Sequence, residues 1–289
     1  VTRRSFLIAL AAAAGAPRLW AEAAVRRRPI GLMLYGLRDE LDRDFNGTLT
    51  AVRRMGYEGV EFFGPYFFWS EEYTRGVRKL LDDLGLACFS THNESYAFTP
   101  DGFTRAMELN RILGSRGIVA VRGLALKTGR LAYHGFEGSG LDGYHRLADR
   151  LGEACERLHG TNMTCAFHNH TVEFEPLEGV RPIDILAKVP ELRFHLGVGS
   201  VGQVGNIPSA FMRQYPGRTQ CLLCSDWPAR PDGKQPLLGE GKEPWKETLA
   251  AADRIGGVEF YLIQQESSAI PPLEAVAKDL AAFRRLTDL

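Results

Sequence analysis

Eight times along the chain a short apolar run begins, near Ile30, Tyr57, Leu86, Ile118, Met163, Leu192, Gln220 and Val258, and between most of them lies a segment with apolar residues at helical spacing. A helix-like segment that ends on glycine and gives way within a few residues to an apolar run marks alternating α/β architecture, because glycine accepts the left-handed backbone that closes a helix. Val52 and Met55 precede Gly56; Val77, Leu80, Leu81 and Leu84 precede Gly85; Leu147, Leu151, Ala154, Cys155 and Leu158 precede Gly160. Leu273, Val276, Leu280 and Phe283 mark a closing helix. A unit of roughly 33 residues repeated eight times predicts one single-domain (β/α)8 barrel in preference to an open doubly wound sheet.

The first residues are of another kind. Arg3 and Arg4 precede an apolar run from Phe6 to Ala16 and an Ala-x-Ala site at Ala21, Glu22 and Ala23, which reads as a twin-arginine export signal cut near Ala23. Residues 1–23 are therefore set apart as a signal peptide and 24–289 as the barrel domain, with a periplasmic or secreted location expected. The run falls short of the ~20 apolar residues that span a bilayer, and no later segment comes closer. The full chain has 35 basic and 35 acidic residues, and loss of 1–23 leaves a slight negative excess with no basic stripe, which disfavours nucleic acid as a partner. Cys88, Cys155, Cys165, Cys221 and Cys224 are an odd set on apolar segments, which predicts buried thiols and no disulfide framework; the CxxC spacing of "CLLC" has no second pair to make a zinc site.

In a barrel of this kind the chemistry sits at the C-terminal strand ends. Read in order, those ends offer Glu61 in "GVEFFG", His92 in "FSTHNES", His168 and His170 in "FHNHTVEF", Asp226 in "CSDW" and Glu266 in "IQQE". Residues i and i+2 of a strand share a face, so His168 and His170 point the same way, as either a metal pair or a hydrogen-bonded core pair would. Two long connections, 123–140 and 227–245, follow strands and stand as candidate lids. "FFGPYFFWSEEY", residues 62–73, packs seven aromatics, Trp69 among them, into one loop that could stack on sugar rings, join a second copy as a homo-oligomer, or fold onto itself. Trp227 and Trp245 flank the second long connection and could form another sugar platform or, again, pack onto their own loop. "GVGSVG" at 197–202 matches a dinucleotide fingerprint in letters, with Asp226 downstream. It lies late in the chain, however, and runs on to another glycine and Pro208 instead of opening a long helix.

"IGLMLYGLRDEL", "DFNGTLTAVRRMGYEGVEFFG", "FHNHTVEFEPLEG", "DILAKV", "YPGR" and "LLGEGKEPWKETLAAA" together, in that order, resemble the xylose isomerase-like TIM barrels, the sugar phosphate isomerases and epimerases. The resemblance implies a small-molecule carbohydrate ligand and a divalent cation that polarises a sugar oxygen while side chains move a proton on the adjacent carbon. It also implies four metal ligands from the fifth to eighth strands, falling here on His168, on Gly197 after Leu196, on Leu223 when Asp226 is aligned, and on Gln264. Glycine, leucine and a neutral amide supply no charge to a divalent ion, so no metal ligand set and no cofactor are expected at those positions. Manganese, zinc or magnesium would need a displaced set drawn from Glu266, Glu61, His92 and Asp226. The expected roles are acid/base catalysis by His168, His170, Glu266 and Asp226, with substrate binding by Glu61, His92, Asn169, Trp69, Trp227 and Gln264. The alternatives are a catalytically silent sugar-binding or partner-subunit protein, and a metal-free lyase or hydrolase acting on a keto-glycoside.

Overall fold

The structure, a computed structural model, describes residues 27–287 except 122, 128–129 and 135–139, and only the backbone between 122 and 139. The export signal expected at 1–23 lies outside the described residues. Eight parallel strands close into a barrel: β1 (Ile30–Met33), β2 (Gly59–Phe62), β3 (Ala87–Asn93), β4 (Gly117–Val121), β5 (Thr164–His168), β6 (Arg193–Gly197), β7 (Thr219–Cys224) and β8 (Phe260–Ile263). Closure is made at β1, where Leu32 pairs with Val60 of β2 on one side and Ile263 of β8 on the other. Each strand begins at or beside the apolar run that announced it, because a strand buried on both faces must be apolar almost throughout.

The outer helices follow from their caps and apolar faces. Ser70 accepts from the Tyr73 amide to open Glu71–Leu84, and Gly85 closes it at φ +66°. Asp44 opens Phe45–Met55, and Gly56 closes it at φ +102°. Outward strand residues such as Val60, Ile118, Phe167, Phe194, Leu222 and Ile263 meet the buried helix faces in one continuous core. A smaller apolar cluster of Met33, Cys221, Leu223, Phe260 and Leu262, with Phe89 against it, fills one side of the barrel interior. The five cysteines are unpaired and buried, as expected. No helix among the described residues is long and apolar enough to cross a membrane.

Three features depart from a plain barrel. The first long connection holds an antiparallel ribbon, Gly123–Lys127 against Arg130–His134, where the sequence showed only a loop. Two β-bulges interrupt the ladder. Between Val60/Glu61 of β2 and Cys88/Ser90 of β3 the extra residue is Phe89, and between Phe194/His195 of β6 and Thr219/Cys221 of β7 it is Gln220. A bulge re-aims the side chains beside it, and both of these sit next to the polar side of the interior.

Candidate functional site

A barrel interior of this class is ordinarily filled with apolar layers. Here the side facing the Leu223 cluster carries Glu61 from β2, Ser90 and His92 from β3, His168 from β5 and His195 from β6, all buried, with Glu61 and His195 fully so. One Glu61 oxygen, Oε2, takes the Ser90 hydroxyl and lies 3.2 Å from His195 Nδ1; the other, Oε1, lies 3.1 Å from His92 Nε2. On its far side His195 Nε2 meets Gln220 Oε1 at 3.3 Å. The His168 ring stacks on His92 with centroids 4.9 Å apart, and its Nδ1–H donates to the His195 carbonyl at 3.0 Å.

This crowding sets the charges. Burial pushes the His92 imidazolium down to about 4, with His195 and His170 acting the same way and Glu61 opposing. Burial, then His92 and His170, hold His168 well below the usual imidazole range. Burial alone would raise the Glu61 carboxyl; the pull of His92, then of His195, and the Ser90 hydroxyl outweigh it and hold Glu61 below its ordinary value. A carboxylate beside imidazoles such as His92 and His168, which burial keeps from charging, is a donor set for a cation and a proton-accepting cluster alike.

His168 leads outward to His170, the two rings edge-to-face at 5.2 Å. His170 lines a cleft of about 240 Å³ at the mouth together with Ser200, Asp226, Gln235, Gln264 and Glu266. Gln264 Nε2–H donates to Glu266 Oε1 at 2.7 Å. Asp226 lies in the wall, but Oδ1 accepts from the amides of Trp227 and Glu243, and Oδ2 from the Gly239 amide and the Trp245 indole. Four donors use its four lone-pair positions, so its evident work is to organise the 227–245 connection. Asn169 Oδ1 accepts from the Gly197 amide at 2.9 Å, joining β5 to β6. A larger concavity of about 1420 Å³, lined by Arg27, Glu58, Arg116 and Glu259 among others, lies at the opposite end of the strands. The site is placed at the mouth on the chemistry of its residues, since that other end serves stability in this architecture.

The tryptophans lie elsewhere. Trp69 packs edge-on against Phe45, Phe62, Tyr66 and Tyr73, outside the barrel, so the aromatic loop folds onto its own helix layer and leaves Phe68 and Tyr73 exposed. Trp245 is buried against Phe283, and Trp227 donates its indole N–H to Glu243 Oε2 at 3.1 Å. The glycines of "GVGSVG" serve packing: Val198–Gln203 is a short helix, and a Cβ on Gly202 would fall 1.9 Å from the Trp227 indole nitrogen.

Residues 49–286 match the sequence model of the xylose isomerase-like TIM barrels. The chain belongs to that family. Its backbone superposes on a sugar phosphate isomerase/epimerase from Parabacteroides distasonis ATCC 8503 with TM-score 0.71 and 20% identity, over 90% of this chain and 94% of that one. A xylose isomerase-like TIM barrel protein from Mycobacterium smegmatis, solved in complex with magnesium, gives TM-score 0.69 at 14% identity over 91% and 98%. An L-ribulose 3-epimerase gives 0.61 at 16% over 91% and 95%. At these identities the likeness shows the shared fold. No curated protein matches the sequence.

Of the positions where xylose isomerase-like barrels were expected to hold metal, His168 is buried against His92 beneath the mouth, Gly197 has no side chain, Leu223 is buried in the interior apolar cluster, and Gln264 bonds to Glu266. A different trio, Glu61, His92 and His195, offers ligand atoms that all lie within 4.8 Å of one another, the spacing of a candidate metal site. Glu61 and His92 belonged to the displaced set read from the sequence; His195 stands where Asp226 and Glu266 were expected. The i, i+2 rule could have found it, because His195 shares a strand face with Gly197. Glu243, which bonds Trp227 and Thr248, was also missed.

Proposed function

We propose that this protein takes a carbohydrate at the mouth of its barrel and acts on it as a sugar isomerase or epimerase, moving a proton at a carbon beside an oxygen-bearing one. The observation that carries the reading is His170 at the edge of a small polar cleft, with the buried His168 ring edge-to-face behind it. Because Nδ1–H of His168 is given to the His195 carbonyl, its Nε2 holds the lone pair and is the proton acceptor. Gln235, Gln264, Ser200 and the exposed Glu266 supply the donors and acceptors that sugar hydroxyls need. We assign the export signal to residues 1–23, the barrel domain to 24–289 and the protein to the periplasm or exterior. Replacing Arg3 and Arg4 with lysine should then hold a full-length fusion inside the cell.

The test is to incubate the protein with a panel of aldoses, ketoses and keto-sugars in deuterated water and follow carbon-bound protons by NMR. Exchange is expected with at least one sugar and should fall by roughly 10²-fold or more in His168→Gln. Retained sugar binding with no exchange for any member of the panel would favour the second reading, a silent sugar-binding protein. That reading draws on Gly197 and Leu223, which leave the family's ligand positions without a donor side chain.

A further inference from the structure

We propose that Glu61, His92 and His195 form a metal centre inside the barrel for a divalent first-row transition ion, built on β2, β3 and β6 instead of on one ligand from each of β5 to β8. Two buried atoms point to it first. Glu61 Oε1 and His92 Nε2 are 3.1 Å apart, yet neither makes a hydrogen bond. The second sign is the tautomer of His195. Gln220 is oriented by its own Nε2–H, given to Glu259 Oε2 at 3.3 Å, and by the Thr164 hydroxyl arriving at its Oε1 at 3.0 Å. That oxygen therefore accepts from His195 Nε2–H, and in the singly protonated tautomer this leaves the lone pair of Nδ1 turned toward Glu61 Oε2. In that tautomer lone pairs face one another on the His195 side of the carboxylate, and an orphaned pair, Glu61 Oε1 and His92 Nε2, lies on the other. A cation among the three satisfies all of them.

The two separations made by Glu61 suit an ion, within a trio whose ligand atoms all lie within 4.8 Å. Donor atoms held about 2.0–2.2 Å from a tetrahedral or octahedral centre lie about 3.0–3.5 Å apart, as the Glu61 oxygens do from His92 and from His195. The chain from His195 through Gln220 to Glu259 is the kind of outer support that fixes the tautomer and aim of a ligating imidazole. Gln220 is itself the extra residue of the β6–β7 bulge, and the β2–β3 bulge adjoins Glu61, so both irregularities of the ladder serve this cluster. Two imidazoles and one carboxylate select zinc, iron, cobalt or manganese over magnesium and calcium, which prefer oxygen throughout. The rival arrangement is a proton on His195 Nδ1, making a plain ion pair with Glu61.

The experiment needs no sugar, so its outcome is separate from that of the carbohydrate reading. Full-length protein, stripped with chelator, is titrated with Co²⁺ and followed by visible absorption and elemental analysis. One equivalent is expected, displaced by Zn²⁺ and not by Mg²⁺. His195→Gln should abolish binding, Gln220→Leu should weaken it about 10–100-fold, and the mouth variants His170→Gln and Glu266→Gln should retain it. Absence of bound ion, or loss in the mouth variants with retention in His195→Gln, overturns the proposal. Should His195→Gln fail to fold, anomalous diffraction from cobalt-soaked crystals of the unaltered protein decides: a peak among Glu61, His92 and His195 supports the centre, and a peak elsewhere or none overturns it.

Discussion

At the scale of single residues the 227–245 side of the mouth is organised by two buried, hydrogen-bonded carboxylates, Asp226 and Glu243. Asp226 holds four N–H donors, so Asp226→Asn places an amide NH₂ against two of them. It should cost about 3 kcal/mol, read by urea denaturation, with faster proteolysis in 227–245. Glu243 is the titrating member of this group. Burial, with Asp226 and Glu247 nearby, raises its carboxyl to about 7 against bonds from Thr248 and Trp227. The unfolded chain ionises it near 4.5, so the folded protein holds the extra proton between about 4.5 and about 7. This group's contribution to stability therefore falls as pH rises through that window and is level above it. Thermal denaturation at a series of pH values should show that fall, and Glu243→Gln should remove it. Neither role was legible in the sequence: Asp226 reads as a catalytic acid until its four partners are known, and those partners lie in a connection without periodicity.

At the scale of elements, glycines decide what can approach what. A Cβ on Gly197 would stand 2.9 Å from His168 Cε1 and 3.0 Å from the Asn169 carbonyl. Gly197→Asp, which puts the family's acid back, should therefore displace His168 and destabilise the protein without creating a mouth metal site; denaturation and metal titration of the variant check both. Gly202 lies so close to the Trp227 indole that Gly202→Ala should cost about 1–3 kcal/mol and shift the tryptophan fluorescence. The strands and main helices were legible, because apolar runs and glycine caps are local signals. The bulges at Phe89 and Gln220 were not, since an extra residue in a ladder shows only against its neighbour strand.

At the scale of the molecule, closure depends on the last helix, Pro272–Thr287, seating against β8. Phe283 is fully buried, with Tyr261 and Trp245 edge-on to it at 5.1 and 5.9 Å. Phe283→Ala should lower stability by about 3–5 kcal/mol, measured by denaturant unfolding. A core continuous around the barrel also shields every thiol, so the native protein should leave a thiol reagent such as DTNB unreacted and release five equivalents only on unfolding.

By itself the sequence determined the barrel, its strand ends, its glycine caps and the family, all of which rest on patterns of neighbouring residues and on spacing along the chain. It also named Glu61, His92, His168 and His170, because polar groups at the ends of apolar runs stand out. Only the tertiary structure decided how they group. Two bulges set Glu61 and His195, 134 residues apart, within 3.2 Å, while Asp226 was drawn to the wall by four donors and Trp69 into the helix layer. Proximity across a closed barrel depends on register and on which face each side chain takes, and a one-residue shift in a ladder changes both.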